Sequence, residues 1–188
     1  MFTGLRTTSI GRRIVALALL VSSIITVLTA SPSPVEAGGA DGLGLGWDHT
    51  CVILVDRSVE CFGRNDRGQL GAGATSYNEG PVAVTNFGGA DIVKAGDGNT
   101  CAVKTDGTLW CWGSNATLPF NGGGPAVRVE PELIEELADV VSLDMDRNHG
   151  CAVVAQGEAY CWGDSSSGQA GPDEGDLHRV PNQIPGID

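Results

Sequence analysis

Six cysteines and three histidines are the residues of this 188-residue chain with the most chemistry to offer. Thiols bind metals, act as nucleophiles or oxidise in pairs, and their spacing separates these uses. The cysteines stand at Cys51, Cys61, Cys101, Cys111, Cys151 and Cys161, so nine residues separate the members of each pair. Paired zinc ligands favour two to four intervening residues, which this spacing does not match. An even set of cysteines in an exported chain fits disulfides instead.

The positions also repeat with a period of 50 residues. Gly63, Gly113 and Gly163 follow the same rule, as do Pro81, Pro131 and Pro181, and Val84, Ile134 and Ile184. Self-similarity at this period marks a solenoid, a propeller or an array. The repeat removes most candidates for catalysis. Gly163-Asp164-Ser165-Ser166-Ser167-Gly168 resembles a serine-nucleophile loop, but its counterpart Gly63-Arg64-Asn65-Asp66-Arg67-Gly68 carries no serine. Asp144-Met145-Asp146-Arg147-Asn148 alternates oxygen donors like the start of a calcium loop. His149 stands where that loop needs glycine, and Ala155 where it needs glutamate. His49 and His149 recur at the repeat spacing, which points to a hydrogen-bonded structural role within each unit. Trp112 and Trp162 are likewise expected to pack. No nucleophile with its base, cofactor fingerprint or metal cluster remains, so no enzyme activity and no cofactor are expected.

The elements that must position these residues are β-hairpins. In Cys101-AVKTDGTLW-Cys111, Asp106-Gly107 separates two runs rich in strand formers, a strong hairpin signal. A three-residue loop with Gly107 left-handed sets Lys104 opposite Thr108 and Cys101 opposite Cys111. That site is a non-hydrogen-bonded pair, where Cα atoms approach to about 4.5 Å, within reach of a disulfide. A two-residue loop would put the cysteines on opposite faces. The pairs expected are therefore Cys51–Cys61, Cys101–Cys111 and Cys151–Cys161. Arg57 occupies the position of Gly107 and Gly157, so the first turn is expected to differ. Glu130 to Leu137 reads as an inter-unit connection containing Pro131 and a short helical stretch. Asn115-Ala116-Thr117 fits the N-glycosylation pattern.

Glycine, at 28 residues, and 9 prolines argue against long helices. The net charge is -12, and without Arg6, Arg12, Arg13 and Glu36 the remainder carries 8 basic and 22 acidic residues. Such a body repels phosphate backbones, so nucleic acid is not an expected partner. Those three arginines precede the uncharged Ile14–Ala30 segment, and Val35-Glu36-Ala37 puts small residues at the -3 and -1 positions of a cleavage site. Residues 1–37 read as a signal peptide cleaved after Ala37, with an uncleaved single-span anchor as the alternative. The chain is expected outside the cytoplasm, secreted or in the cell envelope. Membrane contact is expected only if the segment is retained.

Residues 40–188 resemble the regulator of chromosome condensation (RCC1) repeat. The first unit has Gly46-Trp47-Asp48-His49-Thr50-Cys51, then Phe62-Gly63-Arg64-Asn65-Asp66-Arg67-Gly68-Gln69-Leu70-Gly71. The third keeps His149, Cys161-Trp162-Gly163 and Gly168-Gln169-Ala170-Gly171. The second has Asn99 in the histidine position and Leu118-Pro119-Phe120-Asn121 in place of Gly-Gln-Leu-Gly. The paired cysteines resemble the exported branch of the family. The resemblance implies an all-β fold of propeller blades, usually about seven. Here three repeats fall at approximately 40–89, 90–138 and 139–188. A closed ring needs about four blades at least. Three explanations stand: an open arc, a ring completed by self-association, or a truncated reading of a longer gene.

The function expected is a non-enzymatic protein-binding or scaffold module, its partner an unidentified protein. The variable loops at 71–80, 115–129 and 171–180 would carry binding, above all the acidic Asp173, Glu174 and Asp176. A secreted enzyme inhibitor of the propeller type is one alternative. Guanine-nucleotide exchange, known among nuclear members, is another, and export and disulfides oppose it.

Overall fold

The computed structural model describes residues 39–115, 125–172 and 177–187. Each repeat forms one four-stranded antiparallel meander. The first blade holds β1 (Ala40–Leu45), β2 (His49–Leu54), β3 (Val59–Asn65) and β4 (Ser76–Ala83). The second holds β5 (Ala90–Ala95), β6 (Asn99–Lys104), β7 (Leu109–Ser114) and β8 (Val127–Leu133). The third holds β9 (Val140–Met145), β10 (His149–Val154), β11 (Ala159–Asp164) and β12 (Leu177–Gln183). The described residues form three blades of a propeller that does not close.

The central hairpin of each blade has the expected register. Cys51 pairs with Cys61, Cys101 with Cys111 and Cys151 with Cys161. All three pairs are disulfides with Cα atoms 4.1 Å apart. In the second hairpin the Lys104 N–H donates to Thr108 O at 2.9 Å, and Gly107, at φ +80°, donates to Lys104 O at 2.9 Å. Asp106 fixes this turn, its carboxylate accepting the Thr108 N–H at 3.1 Å and hydroxyl at 2.6 Å. The first turn does not differ as expected. Arg57 adopts φ +66° and its N–H donates to Leu54 O at 2.8 Å, the same geometry as Gly107. Its guanidinium lies 3.2 Å from Asp41 and 2.8 Å from Asp91, contacts that accompany the left-handed backbone.

Register shifts follow the second cysteine of each hairpin, between Cys61 and Gly63, Cys111 and Gly113, and Cys161 and Gly163. Gly113 has φ +97°, and a Cβ there would stand 2.4 Å from Gly98 O. The aromatic-glycine step is thus a bulge that lets the third strand touch the loop before the second. Pro81, Pro131 and Pro181 lie inside β4, β8 and β12, the last strand of each sheet. This corrects the expected helical connection around Pro131. A proline lacks the N–H for a ladder, and the outer edge strand has no neighbour that needs it.

Burial along the second strands shows how the blades meet. On β2, His49, Cys51 and Ile53 are buried and alternate residues are not; on β10 the phase reverses, with Gly150, Ala152 and Val154 buried. On β6 every residue from Asn99 to Val103 is buried. The middle blade is covered on both faces and each end blade on one. Two apolar cores result. One joins the first and second blades through Ile53, Leu70, Val84, Val93 and Trp112. The other joins the second and third through Val103, Ile134, Leu143 and Trp162.

Candidate binding surface

The turns between the first and second strand of each blade meet at one rim of the arc. The Trp47 N–H donates to Gly96 O at 3.1 Å, and the Asp97 N–H to Arg147 O at 3.2 Å. These bonds chain the three turns together. Glycine at Gly46 and Gly96 permits the approach: a Cβ on Gly46 would stand 2.7 Å from Gly96 O, and one on Gly96 2.8 Å from Asp146 O. Trp47 remains 62% exposed. The Arg147 guanidinium lies 4.0 Å from the centre of its ring, a cation–π contact between the first and third blades. Leu45, Asp97, Met145 and Asp146 complete the walls of a recess of about 200 Å³.

Just below this rim, polar atoms are buried between the first two blades. His49 Nε2 lies 2.8 Å from the Thr100 hydroxyl, which donates its own hydrogen to Gln69 O at 2.8 Å. Thr100 has one hydrogen to give, so Nε2 carries the imidazole hydrogen and donates. Gln69 O also accepts the Trp112 indole N–H at 2.9 Å. Burial lowers the His49 pKa to about 4, against the opposing pull of Asp48 and Asp97. His49 is therefore neutral and structural. His149, Asn99 and His49 begin the second strands of three different blades, so the histidines serve separate units.

Trp112 and Trp162 are fully buried, as packing residues should be. Ser165 is buried, its hydroxyl donating to Gly171 O at 3.3 Å. Asp144 lies on strand β9, not in a helix-flanked calcium loop. Asn115 is buried and its side-chain nitrogen donates to Pro125 O at 3.3 Å, while Ala116 and Thr117 of the glycosylation pattern lie outside the described residues. Asp173, Glu174 and Asp176 lie outside the described residues, as do residues 116–124 and the segment through Ala37. Trp47 and Arg147 were missed as a pair. The available signal was divergence at one repeat position, which reads Trp47, Asp97 and Arg147 on an otherwise regular frame.

Models of the regulator of chromosome condensation (RCC1) repeat match residues 43–69, 91–116 and 140–169, and a second such model matches 59–103. Comparison with curated protein sequences returned no match. Among solved structures, human WBSCR16 is similar with a TM-score of 0.69 and 20% identity, over 79% of this chain and 38% of that one. Yeast RCC1 (Prp20), solved with Kap60 bound, gives 0.67 and 19% over 77% and 37%. Prp20p from Saccharomyces cerevisiae gives 0.65 and 21% over 77% and 38%. The chain thus spans under two-fifths of each of these structures, and at such identity they establish the fold alone. With the repeat models matching more than half of its length, the chain belongs to the RCC1 repeat family.

Proposed function

We propose that this chain is an exported, non-enzymatic protein-binding module that recognises its partner at the rim formed by Trp47, Asp97 and Arg147. The carrying observation is the exposed Trp47 ring beneath the Arg147 guanidinium, on turns locked to one another by backbone hydrogen bonds. Tryptophan and arginine dominate the energetics of protein interfaces, and a rigid rim costs little ordering on binding. Yeast Prp20p, of the same fold, has binding properties to Gsp1p and histones, so a protein partner suits the frame. Export is supported by the charge-poor N-terminal segment and by three disulfides. The acidic Asp173, Glu174 and Asp176 supply a second contact element.

Affinity capture with the purified chain as bait, from the fluid or envelope fraction of its own host, tests this reading. Trp47→Ala with Arg147→Ala should abolish retention of the bound protein, and replacing the three acidic residues with asparagine should weaken it. Retention unchanged by the first pair of substitutions would place the site elsewhere. N-terminal sequencing of the exported product should begin at Gly38.

A further inference from the structure

The two end blades each expose the half-joint that the other lacks. On the first blade, Leu43, Leu45 and Phe62 are exposed. Their counterparts Val93, Ala95 and Trp112 are buried against the first blade, and Leu143 and Trp162 against the second. On the third blade, a recess of about 520 Å³ is lined by Cys161, Gly168, Gln169, Gly171, Ile184 and Ile187. The equivalent recess of the first blade is filled by Trp112. There the indole bonds to Gln69 O, and a Cβ on Gly71 would stand 2.9 Å from the indole nitrogen.

The polar residues single out one occupant. The joint between the first and second blades uses His49, Thr100 and the carbonyl of Gln69. The joint between the second and third cannot repeat it, because Asn99 stands at the position of His49 and Gly150, which has no hydroxyl, at that of Thr100. The full set recurs only when the third blade meets the first: His149 and Gln169 lie on one, Thr50 on the other. The geometry points to a second copy of this chain, docked head to tail, with Phe62 in the recess beside Ile184 and the Thr50 hydroxyl between His149 and Gln169 O. Two copies of the three described blades make six, within the roughly four to eight that propellers hold, and such a pair closes one ring through two identical joints.

The joint departs from the internal ones at its inner corner. Asp146 replaces Gly46 and Gly96, and its carboxylate accepts the Arg147 N–H at 2.7 Å. Trp47 and Asp97 give that same N–H to the next blade. The corner is open and the outer recess holds the copies together.

Sedimentation of the purified full chain across a concentration series reads this directly. The wild-type chain is expected to be a dimer, and Phe62→Asp and Ile184→Asp each a monomer at the same concentration. Mixing those two variants should restore a dimer, because one of its joints then pairs an intact Phe62 with an intact Ile184. Thr50→Val, a milder change, should weaken association by about tenfold or more, because it removes two hydrogen bonds from each of the two joints. Asp146→Gly should strengthen it. A folded wild-type chain that stays monomeric overturns the proposal, as does a dimer indifferent to Phe62 and Ile184, or variants that fail to complement. A wild-type monomer would leave the binding rim of Trp47 and Arg147 untouched, since capture of a partner is measured separately.

Discussion

His49 shows what the repeat demands of a single side chain. It sits in the core between two blades, donates to Thr100 and is held neutral by burial, with a pKa near 4 instead of 6.5. A depressed histidine pKa means that the unfolded chain binds the proton first. The His49 contribution is complete above about pH 6.5 and is lost as pH falls from there towards 4, by at most about 3 kcal/mol. The Asp56, Asp66, Asp106 and Asp164 carboxyls are held below their usual range by local hydrogen bonds, so their loss belongs to still lower pH. Urea unfolding at pH 7 and pH 5 should therefore show a drop that His49→Asn, the residue of the second blade, largely removes. An equal drop in the variant would assign the pH dependence to other groups. The structural role of His49 was legible from its recurrence. Its partners were not, because Thr100 and Gln69 lie in other parts of the sequence and meet only across a joint.

At the scale of the hairpin, almost everything was local and therefore legible. Loop length, disulfide and register constrain one another within eleven residues, from Cys101 to Cys111. What the sequence left open was how each turn meets the next blade. The Ala90 N–H donates to Arg57 O and the Val140 N–H to Gly107 O, both at 3.0 Å, so hairpin tips also bind the following blade. Of the facing left-handed positions, one is glycine at each joint: Arg57 with Gly89, and Gly107 with Asp139. A Cβ on Gly107 would stand 2.9 Å from the Asp139 Cα. Gly107→Arg should thus cost about 3 kcal/mol, from left-handed strain and overlap with backbone. Arg57→Gly should change stability by no more than about 1 kcal/mol, because relief of strain offsets two exposed ion pairs. Thermal unfolding of the two variants measures the difference. Equal effects would mean that the joints are interchangeable. The prolines were misassigned for the same reason, since only the sheet order shows that Pro131 lies on an outer strand.

For the whole molecule, the period of the sequence disclosed the number of blades, whereas the opposed burial of the end blades emerged only when they were stacked. Alternation on β2 and β10 is a property of neighbours, and a repeat carries the same residues whether a neighbour is present or not. The disulfides make this testable. Cys51, Cys61, Cys101 and Cys111 are fully buried between blades, while Cys151 is half-buried on the uncovered face of the third blade and Cys161 is 7% exposed. Exchange requires a thiolate to reach sulfur, so access orders the rates when the local hairpins are alike. Under limited reductant, with alkylation followed by mass spectrometry, Cys151–Cys161 should open first in a single chain. The other two bridges should follow only as the blades separate. Docking of a second copy covers Cys151 as the second blade covers Cys51, so raising the protein concentration should bring the third bridge towards the rates of the others. Early labelling of Cys51–Cys61 would show that the blades do not shield their bridges, and a third bridge that stays fast at every concentration would mean that its face remains open.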